Sequence, residues 1–134
     1  MDKRFWISVA VMFVMFMTTG FFVHGFLLKA DYTQLPNLFR TEQDQMTFFA
    51  FMPVADLFAA FAFVWIYLRI KKEDKPFLIQ GICYGLAITA LMTVPKFLIY
   101  YAVQPIPGIT VAKQIAFDVM GDVLKGIVVA RLNK

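Results

Sequence analysis

Four apolar stretches divide this chain, at residues 5–28, 46–70, 77–103 and 109–132, and each reaches the roughly 20 residues a helix needs to cross a bilayer core about 30 Å thick. Few folds accommodate that pattern. Inside lipid a segment must satisfy its own backbone hydrogen bonds, so each stretch is expected to be a helix. With 60% hydrophobic residues against 16% charged, the chain has too few charges to coat a water-soluble fold of this size. The expectation is an all-α membrane protein with a single transmembrane domain over residues 1–134.

The segments between the stretches read as turns. Residues 31–45 carry Pro36, Asn37 and mixed charges, Lys71–Pro76 is a compact charged turn, and Gln104-Pro-Ile-Pro-Gly108 breaks any helix. Connections this short make neighbouring helices antiparallel, which predicts an up-down-up-down four-helix bundle. The first stretch follows Met1-Asp2-Lys3-Arg4 in the manner of a signal peptide. It is too long for the apolar region of one and lacks a small-residue cleavage site, so it is expected to remain as a helix.

Basic residues set the expected orientation. Lys3, Arg4, Arg69, Lys71, Lys72, Lys75, Arg131 and Lys134 flank one end of the spans, against Lys29 and Arg40 at the other. By the positive-inside rule both termini and the Lys71–Pro76 turn are cytoplasmic. The net charge of +4 is thereby explained by topology, and the basic residues form no surface suited to nucleic acid.

The last stretch carries the main candidate site. Asp118, Asp122 and Lys125 share one helical face with Gln114 and Gly121. An ionisable group at the centre of a membrane helix costs about 2.5–3.5 kcal/mol on insertion scales, so each needs a partner or a function. Depth along the helices places His24, Asp56 and Lys96 within reach of the same zone. With a neutral imidazole these groups sum to minus one, which calls for a proton, a charged His24 or a bound cation. Pro53 before Asp56 and Pro95 before Lys96 are each expected to free a backbone carbonyl nearby.

Small residues mark candidate packing faces. Gly81 and Gly85 form a small-xxx-small strip on the third span, Ala55 and Ala59 do the same on the second, and Gly121 lies within the polar stripe. These strips serve contacts within one chain or between chains equally well.

Other chemistry finds little support. Cys83 and His24 are each the only residue of their kind, so there is no disulfide framework and no metal-ligand cluster. Met12, Met15 and Met17, with Phe13 and Phe16, read as packing or lipid-facing residues. Nucleophile elbows, phosphate-binding glycine loops and zinc motifs are missing from the sequence. No metal or cofactor is expected.

The segment Gly20-Phe-Phe-Val-His24-Gly-Phe-Leu-Leu28-Lys-Ala-Asp31-Tyr32 resembles a group of small four-span bacterial membrane proteins that carry a glycine and a histidine one turn apart before an acidic-aromatic exit. The resemblance implies a bacterial inner-membrane location and draws attention to His24. It implies no activity. Length and span number are also similar to those of small multidrug transporters and fluoride channels, but the first span has no embedded glutamate and no Asn/Phe pore pattern is present.

Three roles are expected on these grounds. The first is a non-catalytic membrane subunit or homo-oligomer, with the lipid bilayer and another helix as partners. The second is a small transporter or channel moving a proton or cation through Asp56, Lys96, Asp118, Asp122, Lys125 and His24. The third is a lipid- or quinone-processing enzyme, which needs a cavity beside His24.

Overall fold

The first helix starts where Asp2 accepts a hydrogen bond from the Phe5 amide at 2.9 Å, a side-chain cap of the kind that nucleates helices. The computed structural model describes residues 2–134, and among these 84% are helical and none is in a strand. Helix α1 (Lys3–Leu27) ends in a π-helical segment, Phe21–Leu27, and short α2 (Lys29–Thr33) follows it. Helix α3 (Glu42–Phe48) is capped by the Thr41 hydroxyl, which accepts from the Asp44 amide. Then come α4 (Phe51–Ile70), α5 (Phe77–Val103) with a π-helical segment at Thr89–Thr93, and α6 (Gly108–Leu132).

Helices α1, α4 and α5 are long and apolar enough to cross a membrane by length and composition. Helix α6 has the length too, but Lys113, Asp118, Asp122, Lys125 and Arg131 make it more polar than the other three. The second apolar stretch begins later than its composition implies. Pro53 falls in the first turn of α4, where its missing amide costs nothing, and the carbonyl it would have orphaned, that of Phe49, accepts from Met52 at 3.1 Å. Pro53 therefore sets the start of α4 and does not create a broken helix beside Asp56.

Phe5, Val9 and Met12 of α1 pack with Ala60, Phe63, Val64 and Tyr67 of α4, Tyr84 of α5 and Val129 and Ala130 of α6. The Tyr84 hydroxyl closes this core by donating to the Phe63 carbonyl at 2.6 Å. A smaller cluster of Phe97, Ile106 and Val111 sits near the opposite end, under Leu35 and Leu38.

Backbone contact is closest between α5 and α6. A Cβ on Gly81 would meet Gly126 and Ile127 backbone, and one on Gly85 would meet Asp122 and Val123 backbone. The Gly81/Gly85 strip thus serves a contact within the chain. On α4 the expected alanine strip is not the packed face: Ala55 is exposed and Ala59 half-buried, while Ala60 and the bulkier Phe63, Val64 and Tyr67 turn inward. Large side chains bury more apolar area per turn than alanines do, which decides the face.

The two chain ends meet. Asn133 donates to the Ser8 hydroxyl at 3.0 Å, and Lys71 donates to the Asn133 carbonyl at 3.2 Å. Between α4 and α5 the Gln80 side chain ties the turn by pairing with the Lys72 amide and the Lys72 and Lys75 carbonyls. The basic residues counted on one side of the spans are therefore at one end of the molecule. Lys113, left out of that count, pairs with Asp31 and adds to the other end.

Candidate functional site

The polar face of α6 is built from both ends of the sequence. Asp122 and Lys125 are buried, with side chains 7% and 8% exposed, and their charged atoms lie 3.0 Å apart. The second Asp122 oxygen accepts from Thr89 at 3.1 Å and from Thr93 at 2.8 Å. Lys125 also lies over the Phe16 ring, 4.2 Å from its centroid, while Gly121 leaves room for Thr19 beside it. In this half of the stripe the two charges offset each other, and both Asp122 oxygens are engaged.

The other half begins one turn away, at Asp118. His24 Nε2 stands 3.4 Å from Asp118, and its Nδ1 is 2.6 Å from the Tyr32 hydroxyl. Gln114 donates to the same hydroxyl at 3.0 Å. One arrangement that uses both contacts has the phenol oxygen accepting from Gln114 and donating its proton to Nδ1, with the proton of a neutral imidazole on Nε2, facing Asp118. Burial raises the Tyr32 phenol above its ordinary value, and the Asp118 and Asp31 carboxylates push the same way, against the Gln114 hydrogen bond. The phenol thus keeps its proton at neutral pH. Gln114 is buried, and its Oε1 has no partner.

Both halves depend on π-helical turns. One presents His24 to Asp118, and the other presents Thr89 and Thr93 to Asp122. A π turn inserts one residue, about 100° of rotation relative to a continuous α-helix, and such insertions cluster at functional sites. The insertion also accounts for Lys96. Thr89, Thr93 and Phe97 share the inward face of α5, and Lys96 is exposed, its ammonium 4.4 Å from the Phe97 ring centroid. It stands outside the cluster in which the sequence placed it.

Asp56 is only half-buried, and among the described residues its carboxylate makes no ion pair or side-chain hydrogen bond. The structure therefore joins His24 with Asp118 and Asp122 with Lys125, and leaves Asp56 and Lys96 outside both pairs.

Sequence reasoning passed over Tyr32, Thr89, Thr93 and the Asp31–Lys113 pair at 2.8 Å. Tyr32 had one signal, its place in the acidic-aromatic exit after His24. Among the described residues no group of three or more His, Cys, Asp or Glu side chains has the arrangement of a metal site. Two cavities, of about 360 and 220 Å³, lie at the opposite end, around Lys71–Gln80. No protein family, curated protein or solved structure matches this chain.

Proposed function

We propose that the protein is a non-catalytic component of a membrane assembly, a single-domain up-down-up-down four-helix bundle with both termini cytoplasmic, residing in a bacterial inner membrane and pairing with a second copy or another membrane subunit. One observation carries the reading: among the described residues Asp56, a carboxylate in an otherwise apolar helix, has no ion-pair or side-chain hydrogen-bond partner, whereas Asp118 lies beside His24 and Asp122 beside Lys125. An ionisable group inside a membrane is normally paired or faces water. Small Ala55 stands exposed next to it, the combination that lets a second helix approach and hydrogen-bond. The Asp122–Lys125 pair, with its threonine donors on α5 and the Phe16 ring of α1 against Lys125, then has the task of fixing α1, α5 and α6 in register.

Native mass spectrometry of the protein extracted in lipid nanodiscs tests this directly. The expected result is a stable oligomer or a co-purifying membrane protein, lost in an Ala55→Leu/Asp56→Leu variant. A wild-type protein that is monomeric and unaccompanied at every concentration removes the reading.

A second reading, a proton-conducting or proton-coupled protein, is favoured by the unpartnered Gln114 Oε1. Protonating His24 places a hydrogen on Nδ1, which then donates to the Tyr32 oxygen, and the phenol proton must turn to a new acceptor. Rotating the Gln114 amide supplies one. The relay accordingly has two consistent hydrogen-bond arrangements, differing by one proton, which is what a proton-passing chain of side chains needs. Proteoliposomes under a pH gradient decide the matter: equal flux in wild type, His24→Ala and Asp118→Asn, or flux in none, discards it. An enzymatic reading gains no support from cavities at the end remote from His24.

A further inference from the structure

The end of the molecule where the termini meet carries a second feature unrelated to the α6 stripe. Its larger cavity, about 360 Å³, is lined by Lys71, Lys72, Lys75 and Lys134, with Glu73 as the one acid in the lining. Glu73 is already engaged by Lys71 at 3.0 Å, so Lys72, Lys75 and Lys134 remain as an excess of positive charge around the opening. The smaller cavity, about 220 Å³, shares Tyr67, Lys71, Lys72, Lys75 and Gln80 with the first and continues over Ile79, Cys83 and Ala87. Those three residues are spaced by four along α5, so they form one trough about 12 Å long, pointing from the basic end toward the middle of the helix. Cys83 and Ala87 are small enough to keep the trough open.

We infer that this composite cavity binds one anionic phospholipid, its phosphate-bearing headgroup among Lys72, Lys75 and Lys134 and one acyl chain in the trough over Ile79, Cys83 and Ala87. The proposal rests on membrane insertion of α4 and α5, and on neither the oligomer nor the proton reading. Basic pockets between helices at the cytoplasmic surface are suited to anionic headgroups. A free phosphate would use the lysines alone, and the contiguous apolar trough favours the lipid as its source.

The lysines are available for this role. Gln80 holds the 71–76 turn through backbone atoms of Lys72 and Lys75, so the fold of the turn is independent of their side chains. Removing two charges near an anionic lipid surface weakens binding by about 30-fold, taking each lysine as worth about fivefold.

The test uses the full-length protein in vesicles of three parts phosphatidylcholine to one part phosphatidylglycerol. Resistance to alkaline carbonate extraction is checked first: extraction overturns membrane insertion and the lipid site with it, whereas failure of the lipid-binding arms alone overturns only the site. Native mass spectrometry of the extracted protein is expected to retain phosphatidylglycerol in preference to phosphatidylcholine. Lys72→Gln/Lys75→Gln should lose about 30-fold of that preference, and Cys83→Trp, which plugs the trough, should lose the bound lipid while keeping its helical circular dichroism. Inorganic phosphate should fail to displace the lipid. Equal retention of both lipids, retention unaffected by Cys83→Trp, or full displacement by phosphate each overturns the proposal, the last in favour of a soluble phosphate ligand.

Discussion

Gly81 of α5 lies directly on the backbone of Gly126 of α6, so close that neither position has space for a side chain. One turn further along, Gly85 meets the Asp122 backbone in the same way. The glycine contact and the buried charge are therefore one device. Backbone approach between α5 and α6 brings Thr89 and Thr93 within hydrogen-bond distance of the Asp122 carboxylate.

Substituting Gly85 by Ala should destabilise the protein by about 1–3 kcal/mol, since the added methyl meets backbone atoms that cannot rotate away. Gly20→Ala is the control. It has helical dihedrals and open space around the Cβ, so the substitution should stabilise by up to about 1 kcal/mol. Thermal unfolding in a mild detergent measures both, and equal responses would refute the close-contact account.

Breaking the Asp122–Lys125 pair from one side should be worse than removing it altogether. Lys125→Met leaves a buried carboxylate with only two threonine donors, a loss of about 3–5 kcal/mol. Asp122→Asn/Lys125→Met keeps the threonine hydrogen bonds with no net charge and should recover most of that loss. A double variant less stable than Lys125→Met in the same unfolding assay would argue that the charges are held for more than structure.

The helices were legible because backbone hydrogen bonding in apolar surroundings constrains them through length alone, and three of the four expected spans are helices long and apolar enough to cross a membrane. Residues 77–103 and 109–132 match α5 and α6 to within one residue. The start of α4 was not legible, because apolar residues run through Met46–Phe49 and on into the helix, and only the position of Pro53 marks the boundary. Asp118, Asp122, Lys125 and His24 were recoverable from charge in apolar surroundings. Thr89 and Thr93 carry no such signal, and neither do the wide helical turns that aim His24 and the threonines, the second of which ends two residues before Pro95 and leaves Lys96 facing outward. A uniform 3.6-residue period cannot anticipate an inserted residue.

The proposed orientation can be tested by placing single cysteines in a Cys83→Ser background. Lys3→Cys, Glu73→Cys and Lys134→Cys should resist a membrane-impermeant thiol reagent in intact cells and react after lysis, because all three lie at the basic end. Gln43→Cys in exposed α3 should react without lysis. Labelling of both groups from the same side would exclude the up-down-up-down arrangement.

Tyr32 gives a pH-dependent prediction whose sign is fixed by burial. Its phenol is raised above the ordinary value of 10.0, so the folded protein holds this proton more tightly than the unfolded chain does. The stability it contributes is complete below pH 10 and falls as pH rises through the raised folded value. Tyr32→Phe should lose about 1–3 kcal/mol at neutral pH, because His24 and Gln114 both lose a partner and Gln114 is buried. Above pH 10 its stability should decline less steeply than that of the wild type. Unfolding midpoints from neutral to alkaline pH, together with the difference in phenolate absorbance between the two proteins, supply both readouts. A parallel decline in the two proteins, or a difference spectrum titrating below pH 10, would mean that the His24–Tyr32–Gln114 relay is open to water and not packed against α6.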